Sequence, residues 1–449
     1  MPVQCKPVRA GVLRPGPALT LVLALAGCMG GPGPDVTKSG FGAGYRPDQP
    51  AGMTELRRAG QDARQRSDII DALLARQSIL PPSGPYAEVA QAVTEANAGV
   101  ARAELRVARL RSEAKSKNWL PKIGPSVSLT SLGAVAASIL IEQTIFDGGA
   151  RKAERAYSAA DVEVAAASLA ADANARAYDG LSLYIKTQQS RDYARLSEAA
   201  VARMAEFQRI VTIRADGGLS DRSEQRVIEQ KTAEMRARFN DDRFNASQTL
   251  AELNAMSSRP LDAVSGLQSL PPDAAAPEPI AVLKTRAEGT RTLAEADILR
   301  AGYFPGMKAE AKLNDDGLLS GLSIGADNAF GFGTGAELEA LKSTGDVVDR
   351  RIAKSAEDTN RRIVSLQHDI ATLQAREAEG ATVLAQTEAT LATFTQQYKM
   401  GRRPLMELVG MFETFVAMQR EQAGLKYEIA LRRLEIARDR GVLVSGAQL

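Results

Sequence analysis

Two long stretches of the chain lack proline and place apolar residues at helical spacing. No proline occurs between Pro125 and Pro260, or between Pro305 and Pro404. In the second stretch the apolar positions follow three- and four-residue steps, interrupted at Glu377 and Gly380, which is typical of a coiled-coil interface. They are Ile363, Leu366, Ile370, Leu373, Leu384, Thr387, Leu391, Phe394 and Tyr398. A helix over about 150–215 would be roughly 100 Å long at about 1.5 Å per residue.

Two shorter segments alternate apolar and polar residues, as β-strands do. In GMKAEAKLNDDG the apolar row is Met307, Ala309, Ala311 and Leu313, and the charged row is Lys308, Glu310 and Lys312. NDDG at 314–317 then predicts a hairpin turn. In the first half, Ile139, Ile141 and Ile145 share one side of SILIEQTIF. Transmembrane β-barrel strands have this pattern, but ordinary half-buried hairpins have it too, so both interpretations stand at this point.

The order of these segments occurs twice along the chain, which indicates an internal repeat. Three pairs of landmarks are 184 residues apart: Pro121 and Pro305, Phe146 and Phe330, and Gly217 and Gly401, with Gly218 as an alternative partner of Gly401 at 183. Each half is predicted to contain a helix, a β-hairpin, a very long helix, a glycine turn and a final helix.

The landmarks predict the domain boundaries. The first repeat, 85–260, has a hairpin at about 123–146, a long helix at about 149–215 and a helix at about 221–256. After a linker at 261–276, the second repeat, 277–440, has a hairpin at about 307–330, a long helix at about 334–399 and a helix at about 404–440. Residues 441–449 form a C-terminal tail.

The N-terminal residues have the features of a secretory signal peptide, predicted over 1–27. A basic start is followed by the short apolar run ALTLVLALAGC. LAGC, Leu25 to Cys28, has the form of a bacterial lipobox, so we expect Cys28 to be acylated, with palmitate among its lipids. An ordinary signal peptide with a chance cysteine is the alternative. Met29 rather than Asp favours the outer membrane, and 28–84 is predicted to be the lipid-anchored N-terminal linker and equatorial segment.

Composition argues against several other classes of protein. Aromatic residues make up only 5% of the chain, which suits long helices better than large sandwich cores. The 56 basic and 54 acidic residues are mixed, so no nucleic-acid partner is expected. Both cysteines lie near the N-terminus and His368 is the only histidine. We therefore expect no enzyme, catalytic residue, cofactor or metal site.

Four amphipathic strands are too few to form a closed membrane barrel. An open sheet edge is not tolerated in lipid, and the smallest bacterial barrels have about eight strands. If these strands enter a membrane, several chains must share one barrel. The sequence therefore predicts an oligomer.

Taken together, the chain resembles the TolC family of outer-membrane efflux proteins, in its lipoprotein branch. The resemblance covers about 85–445 and rests on the repeat and on four segments: Leu120–Ile123, Phe146–Gly149, Tyr398–Val409 and Leu431–Leu443. It implies a mainly α fold with a small β part, in which a homotrimer forms a long helical coiled-coil barrel and one 12-stranded transmembrane β-barrel.

The resemblance also implies the function and the partners. The family provides the outer-membrane exit channel of tripartite efflux or type I secretion systems. Its members contact outer-membrane lipid and extend into the periplasm, where they meet an adaptor protein and an inner-membrane pump of the RND or ABC type. Drugs, toxins or secreted proteins would pass without catalysis.

The family closes its periplasmic end with acidic rings and polar ties. By resemblance, Arg403 matches a tip arginine that ties helices, and Glu407 matches the first acidic aperture position. The second acidic position is Gly410 here, which leaves one carboxylate per chain. Asp221 and Glu224 lie at the corresponding turn of the first half. Solvated carboxylates that offset a helix dipole are the alternative interpretation of these residues.

Glycines mark the predicted joints between elements. They are Gly148, Gly149, Gly331 and Gly333 at the strand–helix junctions and Gly217, Gly218 and Gly401 at the tip turns. We expect both strand–helix junctions to require the backbone freedom of glycine. At the first junction, Asp147 is expected to be a carboxylate at the start of the helix.

Two other functions fit parts of the pattern. A periplasmic adaptor lipoprotein also has a lipobox and coiled-coil hairpins, but it should have one hairpin flanked by compact β modules. A structural coiled-coil lipoprotein without a pore would leave the amphipathic strands unexplained. The two helix–hairpin–helix units favour the channel.

Overall fold

A computed structural model of the chain describes Leu56, Ala59 and residues 67–96, 99–129, 135–218, 221–271, 277–314 and 317–449. The predicted signal peptide and Cys28 lie outside the described residues. The first half contains helices α1 (Asp68–Leu74), α2 (Pro85–Ala96) and α3 (Gly99–Ser116), strands β1 (Lys122–Leu129) and β2 (Val135–Phe146), and helices α4 (Ala150–Asp216) and α5 (Arg222–Ala255).

The second half has the same order of elements. Helix α6 (Ile280–Ala301) leads to strands β3 (Gly306–Asn314) and β4 (Gly317–Gly325), which are followed by helices α7 (Thr334–Lys399) and α8 (Leu405–Arg440). A single 3₁₀ turn, Gly446–Gln448, follows α8. The mostly helical fold with one small sheet agrees with the expected fold class.

The two longest helices have the predicted extents. Helix α4 has 67 residues and α7 has 66, so each is about 100 Å long at about 1.5 Å per residue. Within the described residues, no helix is both long enough and apolar enough to cross a membrane.

The four strands form one antiparallel sheet in the order β1-β2-β3-β4. The two hairpins therefore meet along β2 and β3, and β1 and β4 are the edge strands. The second hairpin is shorter than predicted, because β4 ends at Gly325 rather than near residue 330. The chain turns back there, and the backbone N–H of Asn328 donates to the carbonyl of Gly302 at 2.9 Å.

The main core lies midway along the helices, where short elements surround α4. Helices α2, α5, α6 and α8 all pack on α4. Leu73, Tyr86, Leu181, Leu434 and Leu443 are buried together in this core. Small residues on α4 permit close approach, since a Cβ at Gly180 would lie 2.7 Å from Val93.

A separate cluster joins the distal ends of α4, α5 and α8. The rings of Phe207 and Phe412 meet edge to face with centroids 5.7 Å apart. Met204, Ile228 and Leu408 are buried around them. This apolar contact fixes the spacing of the two helix pairs beside the turns.

The predicted coiled-coil interface of α7 is confirmed by its contacts with α8. Ile363 and Leu366 are buried with Ile436, and Leu373 is buried with Leu425 and Ile429. The described positions of the heptad therefore face the partner helix, as three- and four-residue spacing requires.

Candidate functional site

One row of side chains across the sheet is apolar and exposed. The pairing places Ile141 opposite both Ile123 and Ala311, and it places Leu322 opposite Ala309. The row comprises Ile123, Pro125, Ile139, Ile141, Phe146, Met307, Ala309, Ala311, Leu313, Leu318, Leu322 and Ile324, and also contains Gln143 and Ser320. Because Ile123 and Ile324 are 69% and 71% exposed, this row lacks the cover that a half-buried hairpin would have.

The opposite row is mainly charged and polar, with Leu140 and Leu319 as its large apolar members. Glu142 lies opposite Lys122 on one side and Glu310 on the other, and Thr144 lies opposite Lys308. Lys308 also forms an ion pair with Asp327 at 3.7 Å. The alternation predicted for single segments therefore extends in register over all four strands, with one face suited to lipid and one to water.

An irregularity in β2 shifts the pairing at its helical end. Between Thr144 and Phe146 the register slips, so that Phe146 lies opposite Met307 in the apolar row. The extra residue of this irregularity is Ile145. The alternation of the sequence alone placed Ile145 in the apolar row, beside Ile139 and Ile141. Bulges of this kind are common at the rims of barrels.

Exposed aromatic rings surround the junctions between strands and helices, which sequence reasoning missed. They are Trp119 before β1, Phe146 at the end of β2, Phe304 before β3, and Phe330 and Phe332 after β4. In a chain with 5% aromatic residues, this clustering was detectable. Membrane proteins carry belts of aromatic residues at the membrane–water interfaces, and transmembrane β-barrels have such a girdle at each rim.

The first strand–helix junction depends on two glycines and one carboxylate. Gly148 and Gly149 have positive φ of 61° and 96°, a region that disfavours residues with a Cβ. Asp147 accepts from the backbone N–H of Gly149 through Oδ1 and from that of Arg151 through Oδ2, both at 3.0 Å. The expectation that Asp147 is a helix-start carboxylate is thereby confirmed.

The second junction is built differently, which corrects the expectation of a shared need for backbone freedom. Gly333 has a φ of −88°, and neither Gly331 nor Gly333 would place a Cβ near another atom. Phe332 stands where the 184-residue offset places Gly148. The Thr334 hydroxyl accepts from the Gly331 N–H at 2.9 Å, which ties the preceding loop to the first residue of α7.

The two tip turns are equivalent at an offset of 183 residues. Gly218 and Gly401 have φ of 73° and 70°, whereas Gly217 has an ordinary φ of −80°. The left-handed turn therefore aligns Gly218, not Gly217, with Gly401. The two turns are linked where Arg214 donates to the hydroxyl of Tyr398 at 3.5 Å.

Arg403 and Glu407 come together at the second tip turn. The Arg403 guanidinium donates to Glu407, donates to Oε1 of Gln397 at 2.8 Å, and lies 3.7 Å from the ring centroid of Phe394. Arg403 thus ties the end of α7 to the start of α8 within one chain. The Glu407 side chain is half exposed beside it.

Asp221 and Glu224 lie at the start of α5. Asp221 is the N-cap residue, and its Oδ1 accepts from the backbone N–H of Ser223 at 3.1 Å. That hydrogen bond lowers the pKa of Asp221 below its ordinary value. Glu224 is in the first turn, where a carboxylate offsets the helix dipole. Both positions fit the alternative interpretation, and a role at the aperture stays a proposal.

No candidate metal centre emerges from the part of the chain that the structure describes. Over those residues, no three His, Cys, Asp or Glu side chains are grouped so that they could hold a metal ion. His368 is exposed on α7. The features that stand out are the two-faced sheet and the tip.

Comparison with known proteins identifies solved structures of the same fold. No protein-family model matches the chain, and no curated protein sequence matches it. The outer membrane protein VceC from Vibrio cholerae is 14% identical, with a TM-score of 0.69, over 79% of this chain and 96% of that one.

Two further channels are similar over most of their length. The Campylobacter jejuni CmeC outer membrane channel is 11% identical, with a TM-score of 0.65, over 92% of this chain and 94% of that one. The open state of the Neisseria gonorrhoeae MtrE outer membrane channel is 14% identical, with a TM-score of 0.62, over 85% and 90%. The chain therefore has the fold of TolC-like outer-membrane channels.

Proposed function

We propose that the chain is the outer-membrane exit channel of a tripartite export system. The observation that carries this proposal is the sheet. Its mainly apolar row spans four strands, its other row is mainly charged and polar, and it is attached to helices about 100 Å long. A lipid-facing wall and a water-facing wall require these two rows, and the fold is that of outer-membrane channels.

The proposed assembly is a homotrimer. Strands β1 and β4 each have one unpaired edge in a single chain, and unpaired edges are excluded from lipid. Pairing β4 of one chain with β1 of the next closes a barrel of 12 strands when three chains take part. The helices then form a periplasmic tunnel that an adaptor and an inner-membrane pump, of the RND or ABC type, would load with drugs or secreted proteins.

Purification in detergent and planar-bilayer recording test this proposal directly. The protein should migrate as a trimer in SDS that dissociates on heating, and it should form conducting pores in bilayers. A detergent-independent soluble monomer on sedimentation, or the absence of any conductance from the purified trimer, would contradict the proposal.

A lipid anchor at Cys28 is part of the same proposal and is tested separately. It rests on the LAGC lipobox and on the absence of cysteine after that residue. Cys28→Ser should abolish incorporation of radioactive palmitate in cells, while Cys5→Ser should leave labelling intact. Labelling that persists in the Cys28→Ser protein would refute acylation at this residue.

An adaptor lipoprotein is the alternative function. No compact β module occurs among the described residues, whose strands all belong to one amphipathic sheet. Pore formation by the purified protein decides between the two, since an adaptor provides no closed transmembrane barrel.

A further inference from the structure

A cavity of about 730 Å³ lies between α4, α5, α8 and the segment 265–267. Its lining contains four cationic side chains and one carboxylate, that of Asp192. The cations are Arg191 and Arg195 on α4, Arg243 on α5 and Lys426 on α8. Helix α4 packs against both α5 and α8 of the same chain, so the cavity is lined by helices of one subunit.

The only carboxylate that lines the cavity is already surrounded by donors. Asp192 accepts from Lys426 at 2.9 Å and also from Arg195 and from the hydroxyl of Tyr427. Burial raises the pKa of Tyr427 to about 12, so the phenol keeps its proton at neutral pH and remains a donor. Asp192 orients these groups but offsets only one of the four positive charges.

The other two cations are held by neutral groups. Arg191 donates to the backbone carbonyls of Val264 and Asp262, both at 3.3 Å. The Arg243 guanidinium lies 5.5 Å from the ring centroid of Phe239. Across the described residues, neither arginine has a carboxylate within 4.0 Å. These contacts fix the positions of the two guanidinium groups. Because no carboxylate neutralises them, both positive charges can bind an anion.

We infer that this cavity binds a small multivalent oxyanion, of the inorganic or organic phosphate class. Guanidinium groups match the geometry of phosphate oxygens and form strong charge-assisted hydrogen bonds with them. The volume is in the range of small-molecule sites. A concave wall with an excess of one sign of charge also concentrates the counter-ion.

The position along α4 excludes the lipid headgroups next to the sheet as the ligand. Arg191 lies 41 residues beyond Ala150, the first residue of α4 after the sheet, which is about 60 Å at about 1.5 Å per residue. The ligand is therefore soluble. An acidic segment of another protein is the competing occupant, but four cations around one cavity favour a compact ion over an extended chain.

Titration calorimetry with sodium pyrophosphate tests the inference on the full-length protein purified in detergent. Arg243→Gln combined with Lys426→Gln removes two cations with exposed side chains. We expect wild-type protein to bind pyrophosphate and this double variant to bind roughly tenfold more weakly, since two charge-assisted contacts are lost.

The matched control is Arg203→Gln with Arg209→Gln, which removes the same charge from exposed positions on α4 outside the cavity. The control should retain wild-type affinity. Absence of binding to wild-type protein, or equal weakening in both double variants, would overturn the inference. Binding of a polyglutamate peptide without binding of pyrophosphate would overturn it in favour of a protein-docking surface.

Discussion

Arg420 on α8 donates to both carboxylate oxygens of Asp242 on α5, from Nη1 to Oδ2 and from Nη2 to Oδ1, each at 2.6 Å. Ser197 on α4 donates to the same carboxylate at 2.7 Å. The Asp242 side chain is 4% exposed, whereas that of Arg420 is 37% exposed. Three helices thus meet at one buried charge, and that hydrogen bonding raises the pKa of Arg420.

The unequal burial of this pair predicts unequal effects of removing either partner. Arg420→Met would leave a buried carboxylate without its counter-ion and should cost about 3 kcal/mol of unfolding free energy. Asp242→Leu would leave an arginine that can turn to solvent, and it should cost less. Thermal unfolding of the detergent-purified protein, followed by circular dichroism, measures both effects.

The double variant provides the control for this pair. Asp242→Leu with Arg420→Met removes both charges, so it should be more stable than Arg420→Met alone. If Asp242→Leu were the more damaging single change, or if the double variant were the least stable of the three, the proposed desolvation argument would be wrong.

The sheet predicts opposite tolerance for lysine at two neighbouring residues of β4. Leu322 lies in the apolar row near the middle of the strand, and Leu322→Lys would place a charge in lipid at a cost of about 2–4 kcal/mol. Gly321 lies in the other row, opposite Glu310, and a Cβ there would meet no atom within 4 Å. Gly321→Lys should therefore be tolerated.

Recovery of heat-modifiable trimer from outer membranes measures this difference. Leu322→Lys should reduce the yield of trimer strongly, and Gly321→Lys should keep it near the wild-type level. Equal yields from the two variants would mean that the rows do not separate lipid from water.

The two strand–helix junctions predict different responses to alanine. At Gly148, where φ is +61°, a Cβ would lie 2.7 Å from the Cβ of Phe304 and 3.2 Å from the carbonyl of Ala301. Gly148→Ala should cost at least about 1–2 kcal/mol from the left-handed backbone alone. Gly333→Ala meets open space and should stay within about 0.5 kcal/mol of wild type. Unfolding temperatures of both variants test this, and equal losses would contradict it.

The periodic parts of the fold were predictable, because repeated spacing carries information about which face is buried. The heptads of α7 and the alternation of β3 are examples, and the ends of α4 and α7 fell within a residue of those expected. The early end of β4 was not predictable, since Phe330 fits the repeat in sequence but follows Gly325 and a turn that has no counterpart in the first half.

Long-range charge pairing was also beyond the reach of the sequence. Asp242 and Arg420 are 178 residues apart, on helices rich in both charges, and nothing local distinguishes them from solvated residues. The same holds for the cavity around Arg191 and Asp192. By contrast, Arg403 and Glu407 were named from the family resemblance, and their pairing is local because they lie four positions apart.

The contact between Arg403 and Glu407 predicts opposite changes in ion selectivity when either charge is removed. The two side chains form an ion pair on α8 and the turn before it, and Glu407 is half exposed. If this turn lines the closed end of the channel, Glu407→Gln leaves an unpaired cation and should reduce selectivity for cations. Arg403→Gln leaves an unpaired carboxylate and should increase it.

Reversal potentials of reconstituted trimers under a KCl gradient measure these shifts, and low ionic strength enlarges them because exposed charges are then screened less. Glu421→Gln is the matched control, since Glu421 is paired with Arg376 further along α8 from the turn and should leave the potential unchanged. The Arg403→Gln protein also loses the contacts with Gln397 and Phe394. For that reason the charge-conserving Arg403→Lys should keep wild-type selectivity while loosening the turn. Unchanged reversal potentials in both Glu407→Gln and Arg403→Gln would remove this pair from the conduction path.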